Sequence, residues 1–96
     1  MDKRYNALPV HEQLALRRQA IEEVVAHPEW TLRQCVRHLK KQMRLTSPEM
    51  ALLAGVSTKT IQDIEQGRSD GTVQTMNRIF GMVGLKLAVV RAPDPR

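Results

Sequence analysis

Apolar residues recur every three or four positions over most of the chain, which predicts a series of amphipathic helices. The first helix runs from Val10 to Ala26, with Val10, Leu14, Ile21, Val24 and Val25 as its apolar positions, and Pro28 stops it. The second helix begins after Thr31, a helix-capping residue, and ends near Arg44. Its outer face is basic, so each helix has one face suited to burial.

A short third helix is predicted to begin at the segment TSPE. We expect Ser47 to cap it, with Pro48 at its first position and Glu49 near the positive end of its dipole. Gly55 ends this helix after about two turns, because glycine adopts a left-handed backbone without steric cost. The third helix is therefore bounded at both ends by local signals.

A fourth short helix follows at once. Ser57 caps it, it extends from Thr58 to about Gln66, and Ile61 and Ile64 point inward. Two short helices joined by a glycine turn form either a helix-turn-helix or an ordinary helical hairpin. The small Ala51, placed where the two helices cross, favours the helix-turn-helix.

The remaining chain predicts one more helix and then a strand. Thr72 caps a helix over Val73 to Val83, and Gly84 ends it. Residues 85–91 are rich in β-branched residues and alternate in part, which indicates a strand. A lone strand leaves backbone groups unpaired, so we expect it to pair with the same strand of a second copy.

Length and charge narrow the classes of function. With 96 residues, 42% of them hydrophobic, the chain supports one small core and no large catalytic architecture. Its net charge of +5 is local: −1 over residues 1–29, +5 over residues 30–45 and +1 over residues 46–96. Such a basic segment is typical of proteins that bind a polyanion, or of a helix face kept charged for solubility.

Few residues suit single-stranded nucleic acid binding, metal binding or catalysis. Three aromatic residues are too few to stack single-stranded nucleic acid bases. Cys35, His38 and His27 lack a fourth metal ligand, so we expect a half-buried cysteine, a surface histidine and no metal. No nucleophile elbow is present, and the chain is predicted to be no enzyme and to need no cofactor. A single cysteine, no export signal and no bilayer-spanning stretch predict a cytoplasmic protein without a membrane partner.

Three segments in order carry a family resemblance: LTSPEMALLAGVS, TIQDIEQG and TMNRIFGMVGLKL. From Thr31 to Arg91 the chain resembles the lambda-repressor-like, or XRE, family of helix-turn-helix proteins. The resemblance implies an all-α fold of about five helices. We therefore expect an N-terminal helical extension over residues 1–29, a DNA-binding domain over residues 30–84, and a dimerisation strand and tail over residues 85–96. Arg44 stands where the family often has glycine, and Ser47 where it often has glutamine.

The short strand after GL is similar to that of the HipB branch of the family. This similarity implies an antitoxin that dimerises through the strand, represses its own operon by occupying double-stranded operator DNA, and binds a HipA-type kinase toxin. The protein would then be associated with the nucleoid. The alternative is a stand-alone or phage-type regulator without a toxin partner. The residues expected at the dimer interface are Leu85, Leu87, Val89 and Val90.

The fourth helix is expected to enter the major groove with its N-terminal end, so its outward residues are the candidates for base contacts. Lys59 can donate to guanine, Thr58 can contact thymine, and Asp63 can accept from cytosine. The outward candidates are Thr58, Lys59, Gln62 and Asp63, of which Gln62 and Asp63 also suit a solvated face. The resemblance implies base contacts at Ser57, Thr58, Lys59 and Asp63, although Ser57 is also a cap.

Phosphate contacts are expected on either side of the helix-turn-helix. Thr46 and Ser47 begin the third helix, where free amides and the helix dipole attract an anion. Arg44 precedes them and Arg68 follows the fourth helix. The resemblance further implies an ion pair between Lys40 and the glutamate found here as Glu65, which would fix the second helix against the fourth.

Overall fold

A computed structural model describes residues 8–92, which form five α helices and no strand within that range. The helices are α1 (Val10–Ala26), α2 (Leu32–Gln42), α3 (Ser47–Ala54), α4 (Thr58–Glu65) and α5 (Val73–Gly81). The predicted all-α class is confirmed for these residues. The expectations for residues 1–7 at the chain start and for residues 93–96 of the tail lie outside the described residues. No helix within residues 8–92 is long and apolar enough to cross a membrane.

Side-chain caps set the starts of the four helices after α1. Thr31, Ser57 and Thr72 each accept a hydrogen bond from the amide three residues later, as predicted. The prediction for α3 is wrong by one residue: Thr46 is the cap, and Ser47 is the first helical residue. Thr46 takes this place because Glu49 lies three residues on and completes a reciprocal capping box with it.

The ends of α2, α3, α4 and α5 share one backbone motif. In each, a single residue shortly after the helix has a left-handed backbone conformation. The amide of the residue that follows it donates to a carbonyl five residues back: Leu45 to Lys40, Val56 to Ala51, Arg68 to Asp63 and Leu85 to Phe80. The left-handed residue is glycine at positions 55, 67 and 84. After α2 it is Arg44, with φ of 57°, the one non-glycine residue with positive φ among residues 8–92.

The core lies between α2, α3, α4 and α5. Its largest fully buried side chains are Val36, Leu39, Met50, Ile61, Ile64 and Ile79. Helix α1 packs against α2 through buried Ala20 and half-buried Ile21 and Val24. The other apolar residues predicted for its buried face, Val10, Leu14 and Val25, are exposed, so that part of the prediction is wrong. With 17 residues against the 11 of α2, α1 is about 9 Å too long to be covered from end to end.

The segment after α5 forms neither a helix nor a strand within residues 8–92. Helix α5 ends at Gly81, two residues before the predicted Val83, and turns lead on to Gly84. Leu85 and Leu87 pack against the core, and the Leu87 amide donates to Asn77 Oδ1 at 2.7 Å. The first residues of the segment are therefore held against the core by contacts within the described chain. The predicted strand pairing with a second copy stays a prediction.

Candidate nucleic-acid interface

Helices α3 and α4 pack against each other and leave one side of α4 facing outward. Ala51 is buried at 3% exposure, which leaves room for the two helices to approach closely. Ile61 and Ile64, three residues apart on α4, lie in the core with almost no exposure. Because these two residues fix the inner side of α4, Lys59 and Gln62 are left on its outer side.

The Ser57 hydroxyl is engaged in hydrogen bonds that cap the start of α4. It accepts the Thr60 amide at 3.1 Å and lies 2.8 Å from the Thr60 hydroxyl. Ser57 itself remains exposed, whereas Thr58 beside it is half-buried. Lys59 and Gln62 are exposed as well, and 82% of the Lys59 side chain is accessible to solvent.

Asp63 joins two of the predicted DNA-contacting cations. Its Oδ2 lies 2.7 Å from Lys59 Nζ, and its Oδ1 accepts from Arg68 Nε at 2.9 Å. The side chain of Asp63 is only 17% exposed because the two cations cover it. Hydrogen bonds from Lys59 and from Arg68 hold the pKa of this carboxyl below its ordinary value. Asp63 thus positions Lys59 and Arg68 relative to each other.

A polar cleft separates α2 from α4, and we call it the α2–α4 cleft. Its lining residues are Arg33, Arg37, Lys40, Ser47, Gln62, Glu65 and Gln66. The ion pair implied by the resemblance is present inside it, with Lys40 Nζ 3.2 Å from Glu65 Oε1. Ser47 donates to the same carboxylate at 3.4 Å. The cleft therefore joins the outward residue Gln62 to a cationic wall supplied by α2.

Arg33, which lines this cleft, also lies close to the turn after α4. The guanidinium of Arg33 lies over Gly67, and a Cβ placed on Gly67 would stand 3.1 Å from Arg33 Cζ. Gly67 also has a positive φ of 75°. Glycine at this position thus serves both the left-handed turn and the close approach of Arg33.

At the start of α3, where an anion site is expected, two of the backbone amides are already bonded to side chains of the protein. The Glu49 carboxylate accepts the Thr46 amide at 2.8 Å, and the Thr46 hydroxyl accepts the Glu49 amide at 3.2 Å. Pro48 has no N–H to offer, so the Ser47 amide is what remains for an anion. The negative charge of Glu49 at this end also competes with a phosphate for the helix dipole.

Arg44 and Arg68, both expected to contact phosphate, lie in different surroundings. Arg68 is bonded to Asp63 and to Gln66 Oε1 at the end of α4. Arg44 lies beside α1 and α2. It lines two surface depressions there, one shared with Leu16 of α1 and a second one along α2. The structure brings Arg68 together with Lys59 but places Arg44 with the cations of α2.

That second depression runs along α2, and we call it the α2 groove. It is lined by Trp30, Gln34, Arg37, His38, Lys40, Lys41, Arg44, Leu45 and Glu65. Within residues 8–92, Lys40 is paired with Glu65, while Arg37, Lys41 and Arg44 form no ion pair. Like charges three or four residues apart on a helix destabilise it by about 0.2–0.5 kcal/mol per pair. The basic face of α2 is thus unfavourable for the free helix.

Histidines surround Trp30 at one end of the groove. The ring of His27 stacks on Trp30 with a centroid distance of 4.2 Å, and His38 tilts against it at 4.8 Å. His38 Nε2 lies 2.9 Å from Glu23 Oε1 of α1, and His27 Nδ1 lies 2.7 Å from Glu29 Oε2. The bond from His27 lowers the pKa of Glu29. Trp30 therefore helps to join α1 to the remaining helices.

Cys35 and the two histidines do not meet. Cys35 is a core residue with 6% exposure, more deeply buried than predicted, and burial raises the pKa of its thiol. His38 is partly covered by Trp30 and Glu23, so it is not the surface residue that was predicted. No group of three or more potential metal ligands lies together within residues 8–92.

Comparison of the chain with models of protein families, with curated proteins and with solved structures finds no match in any of the three. The likeness to helix-turn-helix proteins consequently rests on the sequence segments given above.

Sequence reasoning missed the role of Asp63. The spacing of four residues from Lys59 is a signal for such a pair on a helix. It also missed the capping box at α3, although the pattern Thr-x-x-Glu is its usual signature. The approach of Arg68 had no comparable signal, because it depends on the left-handed turn at Gly67.

Proposed function

We propose that the protein binds double-stranded DNA in a sequence-specific manner and represses transcription by occupying an operator. The observation that carries the proposal is the outward side of α4: Lys59 and Gln62 are exposed, while Ile61 and Ile64 hold the helix to the core. A helix presented in this way can enter the major groove with its N-terminal residues against base edges.

The charges around α4 support this proposal. Arg33, Arg37 and Lys40 form one wall of the α2–α4 cleft, and Arg68 follows the C-terminal end of α4. Such cations can follow the sugar–phosphate backbone on either side of a helix that lies in the groove. Asp63 holds Lys59 and Arg68 together before binding, which reduces the number of arrangements that DNA has to select.

In a repressor of this kind, two copies would place their α4 helices about one turn of DNA apart. We propose residues 85–91 as the pairing segment. Leu85 and Leu87 pack on their own core, whereas Val89 and Val90 are 101% and 78% exposed. The double substitution Val89→Lys, Val90→Lys should therefore give folded monomers, as measured by light scattering. A dimer that persists in this variant contradicts strand pairing.

The DNA proposal is tested by selecting a preferred duplex from a random library and titrating it against a scrambled duplex. We expect affinity for both duplexes to fall steeply as salt increases, because phosphate contacts release counterions. Lys59→Ala should lose the preference for the selected duplex, by about 1–3 kcal/mol if it makes a bidentate base contact. Arg68→Ala should weaken both duplexes alike.

Arg18→Ala is the matched control, since it removes one exposed positive charge from α1, away from α4. A wild-type protein that binds no duplex at low salt contradicts the proposal, as does an equal loss in all three variants. The antitoxin role rests on the resemblance of the C-terminal segment. It predicts a stable complex with the product of an adjacent gene, and a stand-alone regulator forms none when the two are produced together.

A further inference from the structure

The α2 groove concentrates positive charge that the described part of the chain does not neutralise. Four of its nine lining residues are lysine or arginine, and its single acid, Glu65, is already paired with Lys40. Arg37, Lys41 and Arg44 have no acidic partner within residues 8–92. Their spacing on and just after α2 brings them to one side of the helix, where they repel one another.

Arg44 adds a second, independent observation. It occupies the left-handed position after α2, where the three equivalent helix ends have glycine. A side chain at this position strains the backbone, so a glycine would serve the turn better. Its guanidinium nevertheless lies in the groove with Arg37 and Lys41. A strained residue that brings charge to a repulsive cluster indicates that the cluster has an anionic ligand.

The shape and lining of the groove limit what this ligand can be. The groove is open to solvent and has a volume of about 590 Å³. The indole of Trp30 at one end is already stacked with His27 and contacted by His38. The cations toward Arg44 are left to contact a ligand, and arginine and lysine bind phosphate groups.

We infer that the α2 groove binds a small phosphate-bearing ligand. Its phosphates contact Arg37, Lys41 and Arg44. This inference goes beyond the proposed function and does not depend on DNA binding. Lys40 also lines the groove, so a phosphate there competes with Glu65 of α4 for the same ammonium group. The ligand thereby acts on the ion pair that joins α2 to α4.

Trp30 is the only tryptophan, so its fluorescence reports on the groove directly. The titration is done without DNA, using ATP, inorganic phosphate and adenosine as separate probes, with calorimetry as a second measurement. We expect saturable binding of ATP, weaker binding of phosphate, and no saturable binding of adenosine, because the cations of the groove contact phosphate groups. The double variant Arg37→Ala, Lys41→Ala should bind ATP about tenfold more weakly or worse.

Arg44→Gly separates a binding role from a structural one. It relieves the strained turn, so the variant should be more stable than the wild type yet bind ATP several-fold more weakly. Arg18→Ala removes one charge from α1 outside the groove and should leave ATP binding unchanged. Circular dichroism checks that each variant is folded.

Three results would overturn the inference. One is the absence of saturable binding of ATP and of phosphate to the wild-type protein. Another is an equal loss of ATP binding in Arg18→Ala and Arg44→Gly, which indicates diffuse attraction without a site. The third is that the groove variants weaken duplex DNA binding while ATP does not bind, which assigns these cations to the nucleic-acid contact.

Discussion

Exchanging residues between two helix ends should change stability in opposite directions. Arg44 and Gly55 occupy the same left-handed position after α2 and α3, with φ of 57° and 73°. In each case the following amide donates to a carbonyl five residues back at 3.0 Å. The two sites thus share a backbone conformation and differ in the side chain. Arg44→Gly removes strain from the first site, and Gly55→Ala introduces it at the second.

The expected size follows from two opposing effects. A side chain in the left-handed region costs about 1–2 kcal/mol, while glycine loses about 0.5–1 kcal/mol through the greater freedom of the unfolded chain. The free energy of unfolding should therefore rise by about 0.5–1 kcal/mol in Arg44→Gly, and fall by a similar amount in Gly55→Ala. No atom lies within 4 Å of a Cβ placed on Gly55, so no clash adds to this value.

Urea unfolding followed by circular dichroism, at one fixed protein concentration, measures both changes. Arg44→Ala is the matched control, because it removes the charge but keeps a side chain at the left-handed position. Its stability should lie within about 0.5 kcal/mol of the wild type, as for most surface substitutions. The reasoning is refuted if Arg44→Gly is no more stable than Arg44→Ala, or if Gly55→Ala is as stable as the wild type.

Three further predictions concern the unit formed by α3 and α4. Ile61→Ala should lower the free energy of unfolding by about 2–5 kcal/mol, because Ile61 is fully buried, and calorimetry measures this loss. Thr46→Ala should cost about 1 kcal/mol and Ser47→Ala less than half of that; equal losses in urea unfolding contradict Thr46 as the cap. The pKa of Asp63 is lower in the folded protein than in the unfolded chain. Its carboxylate therefore stabilises the fold when the pH is above the pKa of the unfolded chain, and this stabilisation is lost as the pH falls through the pKa of the folded protein. The stabilities of the wild type and Asp63→Asn should therefore converge in acid, and a constant difference between them from neutral to strongly acid pH contradicts the pairing.

The starts of the helices could be predicted from sequence because they depend on neighbouring residues. Thr31, Ser57 and Thr72 each bond to an amide three positions on, within the same turn. The error at α3 arose where two adjacent residues, Thr46 and Ser47, can both act as caps. Glu49 decides between them, since its side chain reaches back to the Thr46 amide.

Burial of α1 could not be predicted in the same way. The helical pattern includes both Val10 and Ile21, yet Val10 is exposed and Ile21 is half-buried. A sequence pattern identifies which side of a helix is apolar, but the length of the partner helix decides how much of that side is covered. Helix α2 is shorter than α1, so it covers only the part that contains Ala20.

The sequence by itself determined the helical class, the turn at Gly55 and the outward position of Lys59, because each depends on contacts within one or two turns of chain. The tertiary structure alone decided that Arg68 returns to Asp63, and that Arg44 joins Arg37 and Lys41 beside Trp30. The physical reason is that these groups are brought together by turns and by packing between helices, which no local spacing specifies.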